Sequence, residues 1–66
     1  MDLTERESEV VAEVLKGQTN AECAEALFIC EQTIKFHLTN VYRKLKIRSR
    51  GELILKYHQE ATSEQS

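Results

Sequence analysis

Three times in 66 residues a Ser or Thr stands three positions ahead of a glutamate: Thr4 with Glu7, Thr19 with Glu22, and Ser49 with Glu52. This spacing constrains the fold more than any other feature of the chain. The first N–H groups of a helix lack partners inside the helix, and a Ser or Thr oxygen can accept from one while the glutamate reaches back to another. Each tetrad therefore marks a helix start. With no Pro and only two Gly to interrupt them, helices are the expected elements throughout.

Periodicity places the helices more closely. The first runs from Thr4 to about residue 16, where Lys16-Gly17 reads as a cationic last turn followed by a residue suited to a left-handed ending. Its apolar positions Val10, Val11, Val14 and Leu15 oppose Glu5, Arg6, Glu9 and Glu13. The second is short, roughly 20–27, with Cys23, Ala24 and Leu27 inward, and a three-residue break, Phe28-Ile29-Cys30, follows it. The third spans about 31–45 with an inward seam of Ile34, Leu38, Val41 and Leu45, and Ile47 continues the core beyond its end. The fourth covers about 50–60, with Leu53, Ile54 and Tyr57 inward and Leu55 on another side. The expected fold class is all-α, a compact four-helix domain over 1–60 with a flexible tail at 61–66. A domain of this size buries only about 60% of its unfolded surface, so a second copy would help to stabilise it.

Several function classes are poorly served by this chain. The longest apolar run, Ala26 to Cys30, is too short to cross a bilayer or to serve as a signal core, so a cytoplasmic protein without membrane contact is expected. Cys23 and Cys30 form no disulfide framework, and together with His37 and His58 they lack metal-ligand spacing, so no metal or cofactor is expected. There is no Ser-His-Asp order, no confined carboxylate pair and no glycine-rich phosphate loop. Enzymatic activity is accordingly not expected.

Charge is the next clue. Residues 1–31 carry eight acidic and two basic side chains, a balance of -6, whereas 32–66 carry three acidic and seven basic ones, a balance of +4. Six of the nine Lys and Arg residues lie within 33–50. A basic C-terminal turn can simply relieve the helix dipole, and charge alone does not separate that role from a nucleic-acid face. The arrangement does more: a short helix, a brief break and a longer helix with outward Lys35, Phe36 and Thr39 form the layout in which the second member enters the DNA major groove. Arg43, Lys44, Lys46, Arg48 and Arg50 would flank it as phosphate clamps.

The motifs LTERE at 3–7, KGQTNAE at 16–22, TIKFHLTNVYRKL at 33–45 and SRGEL at 49–53 resemble, in order and spacing, the DNA-binding domain of LuxR-type (GerE-like) transcription regulators, including response regulators of the NarL family. The resemblance implies a helix-turn-helix domain whose third helix reads double-stranded DNA. It places Lys35, Phe36 and Thr39 at base edges, and Thr19, Asn20, Thr33, Lys44 and Arg50 against phosphates. It also implies a homodimer through helix four, at Leu55, Tyr57 and His58, with RNA polymerase or another regulator as further partners. Three residues depart from the usual pattern. Cys23 replaces a larger aliphatic residue, Cys30 replaces the Ser that normally caps the recognition helix, and Phe36 at a base-reading position suits thymine methyls or a protein interface. The competing reading is a protein-interaction module that modulates another regulator by heterodimerisation.

Overall fold

Among the described residues, four helices follow the order the caps dictate: α1 over Glu5–Leu15, α2 over Asn20–Leu27, α3 over Glu31–Leu45 and α4 over Arg50–Gln65. The computed structural model describes the backbone of residues 2–65, with side-chain environments through His58. The described residues contain no strand. Both Thr capping boxes are complete. Thr4 Oγ1 accepts from the Glu7 N–H at 3.1 Å while Glu7 Oε1 accepts from the Thr4 N–H at 2.9 Å, and Thr19 and Glu22 repeat the exchange at 3.1 and 2.8 Å. The third box is only half formed. Ser49 Oγ accepts from the Glu52 N–H at 3.3 Å, but Glu52 Oε2 takes the Arg48 N–H at 2.7 Å, one residue further upstream.

The helix endings are as regular as the starts. Gly17 closes α1 with φ +86°, and its N–H donates to the Val14 carbonyl at 2.9 Å. α2 and α3 end alike, on Phe28 and Lys46, each left-handed at φ 58°. In both, the next residue folds its N–H back across the last turn: Ile29 to the Ala24 carbonyl and Ile47 to the Tyr42 carbonyl, each at 3.0 Å. Both isoleucines then pack against the core.

That core is Val10, Val11 and Val14 of α1, Cys23 and Ala24 of α2, Ile34, Leu38 and Val41 of α3, and Leu53 of α4. Leu3, Leu27, Tyr42, Leu45 and Tyr57 cover its margins half-buried. α1, α2 and α3 pack pairwise around it, which fixes the outward direction of α3. Three expectations need correction. Leu15 and Ile54 are about 40% exposed rather than inward, because each lies at the edge of an apolar arc wider than the contact it serves. Glu7, the acid of the first capping box, is buried. The fourth helix extends to Gln65 instead of ending near 60: no Gly or Pro follows Gly51, and Glu60, Ala61 and Gln65 are good helix formers. Of the expected tail, 61–65 thus have helical backbone, and Ser66 lies outside the described residues.

Candidate nucleic-acid interface

Because Ile34, Leu38 and Val41 of α3 are buried, the side of the cylinder opposite them is set by the helical repeat. At 100° per residue, Gln32, Phe36, Thr39 and Arg43 fall on that opposite side, with Lys35 at its edge. All five are exposed. Lys35, Phe36 and Thr39, expected at base edges, and Arg43, expected at phosphate, are together on this accessible face. Gln32 was missed. The signal for it was available, since 32, 36, 39 and 43 step along the helix with the same intervals as the seam at 34, 38, 41 and 45.

Two of these side chains contact neighbours on α3. The Phe36 ring stands 63% exposed and meets the His37 imidazole edge-on, with centroids 5.8 Å apart at 61°. Thr39 Oγ1 donates to the Lys35 carbonyl at 2.9 Å, which engages its proton within the helix.

The six cations between residues 33 and 50 divide into two groups. Lys35, Arg43, Lys46 and Arg48 are exposed, and among the described residues their side chains make no ion pair or hydrogen bond. Lys44 and Arg50, expected at phosphates, are half-buried and engaged inside the molecule. Lys44 Nζ bonds Glu7 Oε1 at 2.7 Å. The Arg50 guanidinium donates to Asn20 Oδ1 at 2.6 Å and to the Gln18 carbonyl, joining the first residue of α4 to the start of α2. Burial pushes the Cys23 thiol and the Tyr42 phenol up from their ordinary pKa values, and in both cases the nearby Arg50 charge acts in the opposite direction.

At the start of α2, Thr19 Oγ1 accepts within its capping box, and a hydroxyl so placed still has its own proton to donate. Asn20 accepts from Arg50 through Oδ1, and its amide N–H groups are donors besides. Thr33 is half-buried in the first turn of α3, its N–H on the Cys30 carbonyl at 3.0 Å. Cys30 caps α3 without a side-chain hydrogen bond, as a weakly accepting thiol should, and is exposed, whereas Cys23 is wholly buried. Leu55 on α4 is 54% exposed, Tyr57 half-buried and His58 exposed. No group of His, Cys, Asp or Glu among the described residues could hold a metal ion, and no described helix is long and apolar enough to cross a membrane.

Comparison with known proteins agrees with this geometry. The model of the family described as bacterial regulatory proteins, luxR family, matches residues 1–57. The transcriptional regulatory protein LnrK of Bacillus subtilis is 52% identical over 52 residues, covering 79% of this chain and 24% of LnrK. The nitrate/nitrite response regulator protein NarP of Escherichia coli is 50% identical over 48 residues, 73% of this chain and 22% of NarP. The chain thus spans about a quarter of the length of the curated relatives it matches. Among solved structures, the DNA-binding domain of the response regulator ComA, crystallised with the anti-activator RapF, superposes with a TM-score of 0.78 at 42% identity, over 82% of this chain and 93% of that one.

Proposed function

Because the chain belongs to the luxR family of bacterial regulatory proteins, we propose that it is the sequence-specific DNA-binding module of a transcription regulator, with α3 in the major groove. The observation that carries this reading is the sorting of the cations: the exposed Lys35, Arg43, Lys46 and Arg48 lie on α3 or just beyond its end, and the half-buried Lys44 and Arg50 tie α3 to α1 and α4 to the start of α2. A helix fits the major groove, where each base pair presents a distinct edge. Lys35, Phe36 and Thr39 then face bases, and Arg43, Lys46, the Thr19 hydroxyl and the Asn20 amide face the flanking phosphates, with Thr33 near the first turn of α3. Lys44 and Arg50 act from behind, as supports, and reach phosphate only by leaving their present partners.

One helix reads few base pairs, so useful specificity requires two copies on an inverted repeat with half-sites about 34–36 Å apart. α4 supplies the pairing surface in this reading, with Leu55, Tyr57 and His58 on it and the exposed Ile54 beside them. RNA polymerase or another regulator is a further partner, to which the acidic balance of residues 1–31 offers complementary charge.

Fluorescence anisotropy with labelled duplexes tests the proposal. Log affinity should fall with log salt with a slope of about -0.9 per phosphate neutralised. Lys35→Glu should weaken binding strongly. Affinity that ignores salt and survives Lys35→Glu excludes the mechanism. A second reading, a module that modulates another regulator by pairing with it, is favoured by the apolar exposure of Ile54, Leu55 and Phe28. A partner captured through α4 with no duplex shifted in a gel would select it.

A further inference from the structure

The outward face of α3 is apolar at its centre, and this decides which base edges it fits. Phe36 presents an exposed ring braced edge-on by His37. Thr39, three residues later on the same face, has its donor engaged by the Lys35 carbonyl, so what it offers a base edge is a methyl group and an acceptor lone pair. Gln32 and Arg43 lie at the two ends of the same row.

We infer that Phe36 and Thr39 form a methyl-reading patch, fitted to the C5-methyl of thymine, at the centre of a short half-site rich in A·T pairs. The inference rests on the DNA-binding function proposed above. Thymine is the one standard base with a methyl in the major groove. A phenyl ring pressed on the polar edge of a G·C pair would strip water from donors and acceptors without replacing it, which is unfavourable. Against a thymine methyl the same ring buries apolar surface on both sides. Gln32, one turn before Phe36, carries the amide that pairs bidentately with adenine N6 and N7. From Gln32 to Thr39 the helix rises about 10.5 Å, the length of roughly three base pairs, so the amide, ring and methyl address neighbouring steps.

The test removes methyl groups from DNA without touching any hydrogen bond. Duplexes recovered by selection from a random thymine-containing pool are resynthesised with deoxyuracil at each thymine in turn, and affinities are compared at fixed salt. One or two positions per half-site should lose about fourfold on methyl removal, the equivalent of burying one CH₂ group. Phe36→Ala should abolish that difference while leaving salt-dependent binding, and Phe36→Leu should retain part of it. Salt-dependent binding with equal affinity for thymine and deoxyuracil at every position overturns the methyl reading alone. Absence of binding to any duplex overturns the DNA-binding function and this inference with it.

Discussion

Lys44 Nζ lies 2.7 Å from Glu7 Oε1, and that same oxygen accepts the Thr4 N–H at 2.9 Å. One carboxylate thus caps α1 and anchors the last turn of α3. The Lys44 hydrogen bond, helped by the Thr4 N–H, holds the Glu7 carboxyl below its ordinary pKa of 4.5, while desolvation pushes the other way without prevailing. A depressed carboxyl pKa contributes stability that is present above the unfolded value and disappears as pH falls through the folded one.

Glu7→Gln should therefore be less stable than the parent chain at pH 7, and the gap should close below about pH 4.5 as the parent loses its ion pair. Lys44→Met should be destabilised in the same pH range, because it leaves a buried carboxylate without its cation. Thermal melts of the three proteins from pH 7 to pH 2.5 check this. A gap that stays constant with pH would show that the pair contributes nothing.

Arg50 holds α4 to α2 through two acceptors, Asn20 Oδ1 and the Gln18 carbonyl. Hydrogen bonds to a charged donor of this kind contribute more than neutral ones, and Arg50→Ala should cost about 1.5–3 kcal/mol. Arg50→Lys should recover less than half of that, since an ammonium lacks the planar fork that meets both acceptors at once. Urea titrations give both values. Equal stability of the Lys variant and the parent would show that only the charge matters.

Phe28 combines a left-handed backbone with a ring that is 93% exposed. A left-handed L-residue costs about 1–2 kcal/mol, and a side chain so exposed returns almost no packing. Phe28→Gly should accordingly stabilise the domain by about 1 kcal/mol, or roughly 4–8 °C in Tm. Phe28→Ile should destabilise it, because a branched Cβ tolerates this conformation poorly. Melting temperatures in the reverse order would mean that the ring packs in solution.

The contrast between Phe28 and Glu7 shows what could be read without coordinates. Thr4, Thr19 and the seam at 34, 38, 41 and 45 follow from interactions three to four residues apart, so boundaries and inward faces of α1, α2 and α3 were legible. Phe28 was legible as a break but not as a left-handed cap. Glu7 with Lys44 and Arg50 with Gln18 join residues 37 and 32 positions apart, and no local pattern announces such pairs. The sequence therefore identified the cations of the candidate site without separating exposed Lys35 and Arg43 from the two supports. At Leu15 and Ile54 a wide apolar arc met a narrow contact, and periodicity alone does not say which edge stays outside.

Thr39 offers the most direct check on the face of α3. Its hydroxyl donates to the Lys35 carbonyl at 2.9 Å, inside the helix, so replacing that oxygen with a methyl takes no free donor from a bound duplex and costs it only an acceptor lone pair. Thr39→Val keeps the branched shape and should bind a selected duplex within about twofold of the parent, with stability changed by less than about 0.5 kcal/mol at this exposed position. Thr39→Ser keeps the hydroxyl and loses the methyl, and should bind about fourfold more weakly, matching the burial of one CH₂. Anisotropy titrations of the three proteins on one duplex separate the two contributions. Strong binding by the Ser variant with loss in the Val variant would assign recognition to the hydroxyl, and the bond to Lys35 would then have to open in the complex.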